Sequence, residues 1–385
     1  MRGAIRSVHR WTGVIAGLWL TLVAISGIGM VFSTSFYGWE FGDSAVSVAM
    51  RDAPYVGPDV WLAKAEARYG KLASVEGFFG PRATPMRISA PTIVYTPPGT
   101  HKHGIVTVDP YSGEPLAHFI ADDSWSFVPL WLHLSLFLPE EAASWATVIL
   151  AVLLFGFGVS GLYLWWPGRG RLRAAAAIPN PRSPVSLRRF HAAIGFWASP
   201  LLILAAFTGL LLARGDVQEA VTAPFGQSAE FDPVAVPPGR CLPRAAVSAG
   251  DALAVARERF PGRELGALFL PFEGNDVYTV WMRPADGTVP ARGDAEAIVD
   301  AKCGTLLFAR TPEAMRSGDV IQTYLVELHN GRVLGLFGEG VIILQGLALF
   351  VLPIAGLILF WWRRRRRLAA QLSPLATVPT RSAAE

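Results

Sequence analysis

The sequence predicts an all-α membrane bundle of four helices carrying two α+β domains on its outer side, built as an internal two-fold repeat. Three observations predict it: four long uncharged runs, basic residues concentrated in the short segments between them, and motifs that recur at a fixed offset. The 385 residues are 52% hydrophobic and only 17% charged, whereas soluble domains carry about 25% charged residues.

The uncharged runs are Trp11–Ser33, Ala142–Pro167, Phe190–Ala213 and Gly340–Trp362, each at least 23 residues long without Asp, Glu, Lys or Arg. A helix rising about 1.5 Å per residue crosses roughly 30 Å of hydrocarbon in about 20 residues, so each run is long enough to span. Trp165-Trp166 and Trp361-Trp362 close two of them, where interfacial aromatic belts belong. The chain then divides into a tail and first span (1–33), an outer domain (34–127), and a surface segment with the second span (128–167). A basic linker (168–189), the third span (190–213) and a second outer domain (214–319) follow. A surface segment with the fourth span (320–362) and a basic tail (363–385) complete it.

Charge sets the orientation. The N-terminal tail, the linker and the C-terminal tail carry 3, 6 and 6 basic residues against one acidic residue, Glu385; every other acidic residue lies in the two long loops. Basic short segments stay inside, so both termini are expected in the cytoplasm of a multi-pass protein of the bacterial inner membrane, and the long loops in the periplasm. The run Arg363–Arg367 abuts a span and reads as an inside anchor, not as a nucleic-acid patch. Arg2 and Arg6 resemble the charged start of a signal sequence, but "ISGIGMVFSTS" offers no small-x-small cleavage site, and the first run reads as a retained helix.

The repeat is the most informative feature. "HRWTGVIAGLW" at 9–19 has its counterpart in "HAAIGFWASPL" at 191–201; Ser26-Gly27 and Thr208-Gly209 both fall with the glycine 18 residues after the histidine. "VDPYSGEPL" and "VDAKCGTLL" match, with Asp109/Asp300 and Gly113/Gly304 each 191 apart. "SGLYLWWP" and "AGLILFWW" end the second and fourth spans. Each unit therefore reads as helix, outer domain, surface segment with a histidine, helix.

In the first outer domain 59–70 is an amphipathic helix, and strands are expected at Val75–Phe79, Met86–Ser89, Gly104–Asp109 and Pro115–Phe119. The second has a helix at 248–262, started by Ser248 or Asp251 and stopped by Pro261-Gly262, then strands at Leu265–Leu270, Val277–Met282 and Ala297–Val299. Asp109 and Asp300 read as turn-formers. Cys241 and Cys303, the only cysteines, both lie in the second outer loop; they either pair in an oxidising compartment or stay free thiols, and their spacing matches no metal motif.

Four of the seven histidines occupy repeat-related membrane edges: His9 and His191 inside, His133 and His329 outside. Pseudo-two-fold symmetry brings His9 near His191 and His133 near His329. Two imidazoles from facing helices hold a b-type haem, one on each side of the iron, so two haems b are expected. Gly13 and Gly195, with Gly17 and Ser199 a turn further, leave room for a flat macrocycle. Arg10 is placed to meet a haem propionate or lipid phosphate, and Arg332 a propionate or anionic chelate. Zinc or copper would find only two imidazoles and no acidic partner at the inner pair. His101, His103 and His118 read as solvated loop residues.

On these residues the chain resembles the PepSY-associated transmembrane family, iron-regulated inner-membrane proteins that include ferric-siderophore reductases. The resemblance covers nearly the whole chain. It rests on His9-Arg10-Trp11-x-Gly13 with the following Ser26-Gly27-Ile28, the two "VD…G" outer domains after an Ala-rich helix, Phe190-His191 with Gly195, and the spans ending in paired tryptophans. It implies two periplasmic PepSY-like domains, two b-type haems on the four histidines, and electron delivery to a ferric siderophore or other ferric chelate.

A haem-dependent oxidoreductase is thus the leading expectation. No G-x-G-x-x-G follows a strand, so electrons must come from a membrane quinol or a cytoplasmic donor. The alternative is a non-enzymatic, membrane-tethered PepSY binding or regulatory protein. A transporter is disfavoured because the spans carry almost no polar residues at mid-membrane.

Overall fold

The computed structural model describes residues 1–49, 51–81, 88–227, 247–272, 275–285 and 293–372. They form two compact units: one of residues 1–28, 131–215 and 326 onward, the other of residues 29–130 and 216–325.

The first unit holds four long helices, Arg2–Val31, Glu140–Trp165, Pro184–Ala213 and Gly335–Leu372. All four are long and apolar enough to cross a membrane. Each extends past its uncharged run at one or both ends, because helix formation continues into the flanking charged residues. The third begins where the Ser183 hydroxyl accepts from the Ser186 N–H and Ser186 answers on Ser183, a capping box with Pro184 at the first helical position. The fourth runs on through Arg363–Arg367. Ala16, Leu20 and Ala24 of the first span pack with Leu154 of the second, Ala198, Leu202 and Ala206 of the third and Leu349 of the fourth. Small residues let these backbones approach: a Cβ on Gly17 would stand 3.0 Å from the Pro353 Cβ. Large apolar side chains such as Ile15, Leu18, Val152 and Leu344 point outward instead. That inverted distribution suits a lipid solvent and no aqueous one.

The second unit is built on strands β1 (Val75–Phe79), β2 (Thr92–Tyr95), β3 (Gly104–Val108), β4 (Pro115–Ile120), β5 (Arg263–Phe269), β6 (Val277–Pro284), β7 (Ala295–Asp300) and β8 (Leu306–Arg310). They form a single antiparallel sheet in the order β4-β3-β2-β1-β5-β6-β7-β8. One helix precedes each set of four strands, Pro58–Tyr69 and Ala249–Arg259. Both bury their apolar stripes in one core, with Trp61, Ala65, Ala252 and Leu253 against Phe78, Val106, Leu268 and Val280.

The two outer loops thus do not fold apart. β1 pairs with β5, Phe78 opposite Leu268, and a Cβ on Gly77 would come within 2.7 Å of the Leu268 carbonyl oxygen, so the junction needs a bare backbone. Asp59 ties the two helices: its carboxylate accepts from Ser248 Oγ at 2.6 Å and from the Gly250 N–H at 3.0 Å.

Two strands differ from expectation. Of the run 86–89, Met86 and Arg87 lie outside the described residues and Ile88 and Ser89 are not in a strand; β2 forms instead at Thr92–Tyr95, between Pro91 and Pro97. β8 was not foreseen. The expected turns are present: Asp109 accepts from the Tyr111 and Ser112 N–H groups, and Asp300 from those of Lys302 and Cys303. Cys303 is disulfide-bonded; Cys241 lies outside the described residues.

Candidate cofactor site

His9 and His191 sit in the early turns of the first and third spans. His133 lies near the end of the helix Val128–Ser135, and His329 ends the helix Ser317–His329. The His133 and His329 ring centroids are 6.0 Å apart with planes at 62°. His9 and His191 are close enough to interact electrostatically. Both pairings are those that the repeat implied.

The chemistry of the donor set tests whether these residues fit a haem. Metal–imidazole bonds are about 2 Å long and half a ring adds about 1 Å, so two imidazoles that shared one metal would have centroids about 6 Å apart, the spacing of His133 and His329. Each ring must also offer a nitrogen lone pair inward. His191 Nδ1–H donates to the Leu352 carbonyl at 3.1 Å and His133 Nδ1–H to the Val23 carbonyl at 3.1 Å. The His329 ring bonds the Ala205 backbone, and its Nδ1 lies 2.9 Å from Thr208 Oγ1, which itself donates to the Leu204 carbonyl. A carbonyl only accepts, and the Thr208 proton goes to Leu204, so Nδ1 carries the proton in all three.

His9 reaches the same state through a hydroxyl: its Nδ1 lies 2.8 Å from Ser160 Oγ, which itself stands 2.6 Å from the Gly156 carbonyl. Two oxygens approach that closely only with a proton between them, so the Ser160 proton goes to Gly156 and His9 Nδ1–H donates to Ser160. Each ring therefore has Nδ1 committed as donor and the Nε2 lone pair available, the arrangement of metal-ligating histidines. Among the described residues no group of three or more His, Cys, Asp or Glu side chains gathers as a metal site; two imidazoles are the whole donor set of each pair. The residues fit a bis-imidazole haem.

Each ring also lies on a glycine of a neighbouring span. A Cβ on Gly27 would meet His133 Cε1 at 3.1 Å, on Gly209 His329 Cε1 at 3.2 Å, on Gly161 His9 Cε1 at 3.8 Å, and on Gly356 His191 Cε1 at 3.7 Å. The carbonyls that hold three of the rings belong to the residues four before these glycines. His9 of the first span docks on the second, and His133, ahead of the second, docks on the first; the third and fourth spans exchange His191 and His329 in the same way. Every ring is thus supported within its own half of the chain, while each facing pair joins the two halves.

Gly13 and Gly195 are in ordinary van der Waals contact with neighbouring spans: a Cβ would meet Phe157 Cε1 and Leu352 Cδ2, each at 3.8 Å. Gly17 and Ser199 serve helix packing instead. Gly17 abuts Pro353, and the buried Ser199 returns its hydroxyl to the Gly195 carbonyl at 2.5 Å. Arg10 places its guanidinium 5.7 Å from the Trp11 ring centroid, and its Nε is buried with no hydrogen-bond partner. Arg10, Arg188 and Arg6 all act electrostatically on Arg363, and guanidinium groups suit carboxylate or phosphate. Arg332 Nε lies 3.5 Å from the Glu327 carboxylate, and its side chain remains partly exposed.

In the sheet unit, His103 Nδ1 pairs with Asp122 at 3.1 Å and Lys102 with Asp123 at 2.5 Å, and the side chain of His101 is exposed. His118 Nε2 and the Tyr95 hydroxyl share a hydrogen bond at 2.6 Å. Burial pulls the His118 imidazole below its ordinary value and pushes the Tyr95 phenol up.

The fold and this site define a multi-pass membrane protein whose four-helix unit carries two facing histidine pairs and whose chain also builds an antiparallel sheet unit. The sequence matches the PepSY-associated TM region over residues 6–364, and the chain belongs to that family. No curated protein matches it.

The repeat exposed the four histidines. It did not expose their supports Ser160, Ser26, Thr208 and Leu352, although Ser26-Gly27, Thr208-Gly209, Ser160-Gly161 and Ala355-Gly356 stand out as matched pairs ahead of any structure.

Proposed function

We propose that the protein is a di-haem b-type reductase of the bacterial inner membrane that passes electrons to a periplasmic ferric siderophore or other ferric chelate and releases Fe²⁺. The observation that supports this most is the state of the four imidazoles: two facing pairs, each ring with Nδ1 committed and Nε2 available. A haem held by two imidazoles supplies one-electron exchange without an open coordination position.

In this reading His9 and His191 hold one haem at the cytoplasmic side, and His133 and His329 hold the other at the periplasmic side. Arg10, whose buried Nε has no hydrogen-bond partner, pairs with a carboxylate at the inner site, and Gly13 and Gly195 place no side chain beside it. The basic tails and linker keep both termini cytoplasmic. A quinol or cytoplasmic donor supplies the electron. The chelate, too hydrophilic to enter hydrocarbon, takes it at the outer edge; a ligand shell built for hard Fe³⁺ holds Fe²⁺ less tightly. The helix-plus-four-strand arrangement of each half is read as a duplicated PepSY-like domain, joined edge to edge in one sheet.

The test is ferric-chelate reduction by right-side-out membrane vesicles, with Fe²⁺ trapped outside by an impermeant ferrous chelator. Vesicles with the protein should form Fe²⁺ faster than vesicles lacking it, and His329→Ala should remove the difference. Equal rates with and without the protein would contradict the reading and favour a tethered binding role.

A further inference from the structure

The four imidazole supports are not equivalent. His133, His191 and His329 each bond a backbone carbonyl, which no side-chain substitution removes. His133 and His329 have in addition a hydroxyl within reach, Ser26 Oγ at 3.2 Å and Thr208 Oγ1 at 2.9 Å. His191 has none, since Ala355 stands where the other three spans carry Ser or Thr before the supporting glycine. His9 is the reverse case. The residue four before its glycine is Phe157, which meets the ring edge-on with centroids 5.3 Å apart, and Ser160 Oγ is the one Nδ1 acceptor among the described residues.

We infer that Ser160 is the positioning residue of the inner site: it alone holds His9 in the tautomer and rotation that aim Nε2 at the metal. The inference rests on the haem reading. The Ser160 hydroxyl suits the task because its proton is spent on the Gly156 carbonyl at 2.6 Å. It can only accept from His9, and donating its proton makes the oxygen a better acceptor. An acceptor on Nδ1–H raises the basicity of the opposite nitrogen, and losing such a partner typically costs about 10–100-fold in metal affinity. Ser26 and Thr208 reinforce rings that carbonyls already hold, so their loss costs less. Both outer rings and His191 are held by backbone, and His9 alone depends on a side chain.

The experiment compares full-length parent, Ser160→Ala, Ser160→Thr, Ser26→Ala and Thr208→Ala by haem titration and by redox titration of each spectral component. Ser160→Ala should weaken haem binding at the inner site by about 10–100-fold and raise that site's midpoint potential, because a less basic imidazole stabilises Fe³⁺ less. The outer component should stay at the parent potential, and Ser160→Thr should restore the inner one. Ser26→Ala and Thr208→Ala should each lose less affinity than Ser160→Ala. A parent with two haems whose Ser160→Ala variant keeps parental affinity and potential overturns the assignment alone, as does an equal or larger loss in Ser26→Ala or Thr208→Ala. A parent that takes up no haem overturns the haem reading and this assignment together.

Discussion

His133 and His329 face each other with ring centroids 6.0 Å apart, yet each is held from behind by its own half of the chain: Val23 and Ser26 of the first span for one, Ala205 and Thr208 of the third for the other. The pair is therefore one of the places where the two halves meet, beside the shared packing of the four spans and the β1–β5 pairing. His9 and His191 repeat the arrangement at the opposite ends of the spans.

If each facing pair holds one haem, removing either member should empty one site and spare the other. His133→Ala and His329→Ala are each expected to retain one haem per chain, as are His9→Ala and His191→Ala. The two groups should lose different spectral components in reduced-minus-oxidised spectra. Two haems retained in any of these variants would separate that histidine from ligation.

The supporting glycines should differ in tolerance. A Cβ at Gly27 or Gly209 would press on His133 or His329 at 3.1 and 3.2 Å, while at Gly161 or Gly356 the nearest ring atom is 3.8 or 3.7 Å away, ordinary van der Waals contact. Gly27→Ala and Gly209→Ala should broaden or shift the outer component's spectrum and lower its occupancy. Gly161→Ala and Gly356→Ala should leave the inner component at the parent level. Haem content and band position read both outcomes, and the reverse ranking would mean that ring contact with these glycines does not position the ligands.

Much of this was legible in sequence because the signals are local or periodic. Uncharged runs mark the spans, and the 18-residue offset from His9 to Gly27 and from His191 to Gly209 marks the repeat on which the four histidines recur. The shared sheet was not legible: pairing between Phe78 and Leu268 joins strands nearly two hundred residues apart, and nothing in either strand encodes its partner. β2 is four residues between prolines, too short for alternation to show. Ser160 was hidden for another reason. A serine near the end of an apolar helix looks like an ordinary back-bonded hydroxyl, and only the approach of His9 from another span gives it a task.

Orientation is open to direct test. Reporter fusions after Asp123 and after Met315 should report periplasm, and fusions near Ala176 should report cytoplasm. A cytoplasmic signal from either long loop would reverse the direction assigned to electron flow.

His118 gives the sheet unit a pH dependence of known sign. Burial holds its folded value below the ordinary 6.5, which favours the neutral ring that bonds the Tyr95 hydroxyl. Its contribution is complete above about pH 6.5 and declines as pH falls through that value, because the unfolded chain takes up the proton first. Thermal melting of the parent should lose more stability between pH 7.5 and 5.5 than that of His118→Asn. Parallel losses would show that this histidine does not contribute to the slope.

The central claim, that the two histidine pairs hold haem, is tested most directly by the haem-to-protein ratio of the purified full-length chain, read with its reduced-minus-oxidised spectrum. The account predicts a red protein with two b-type haems per chain. A colourless protein that stays colourless when haem is added would contradict it.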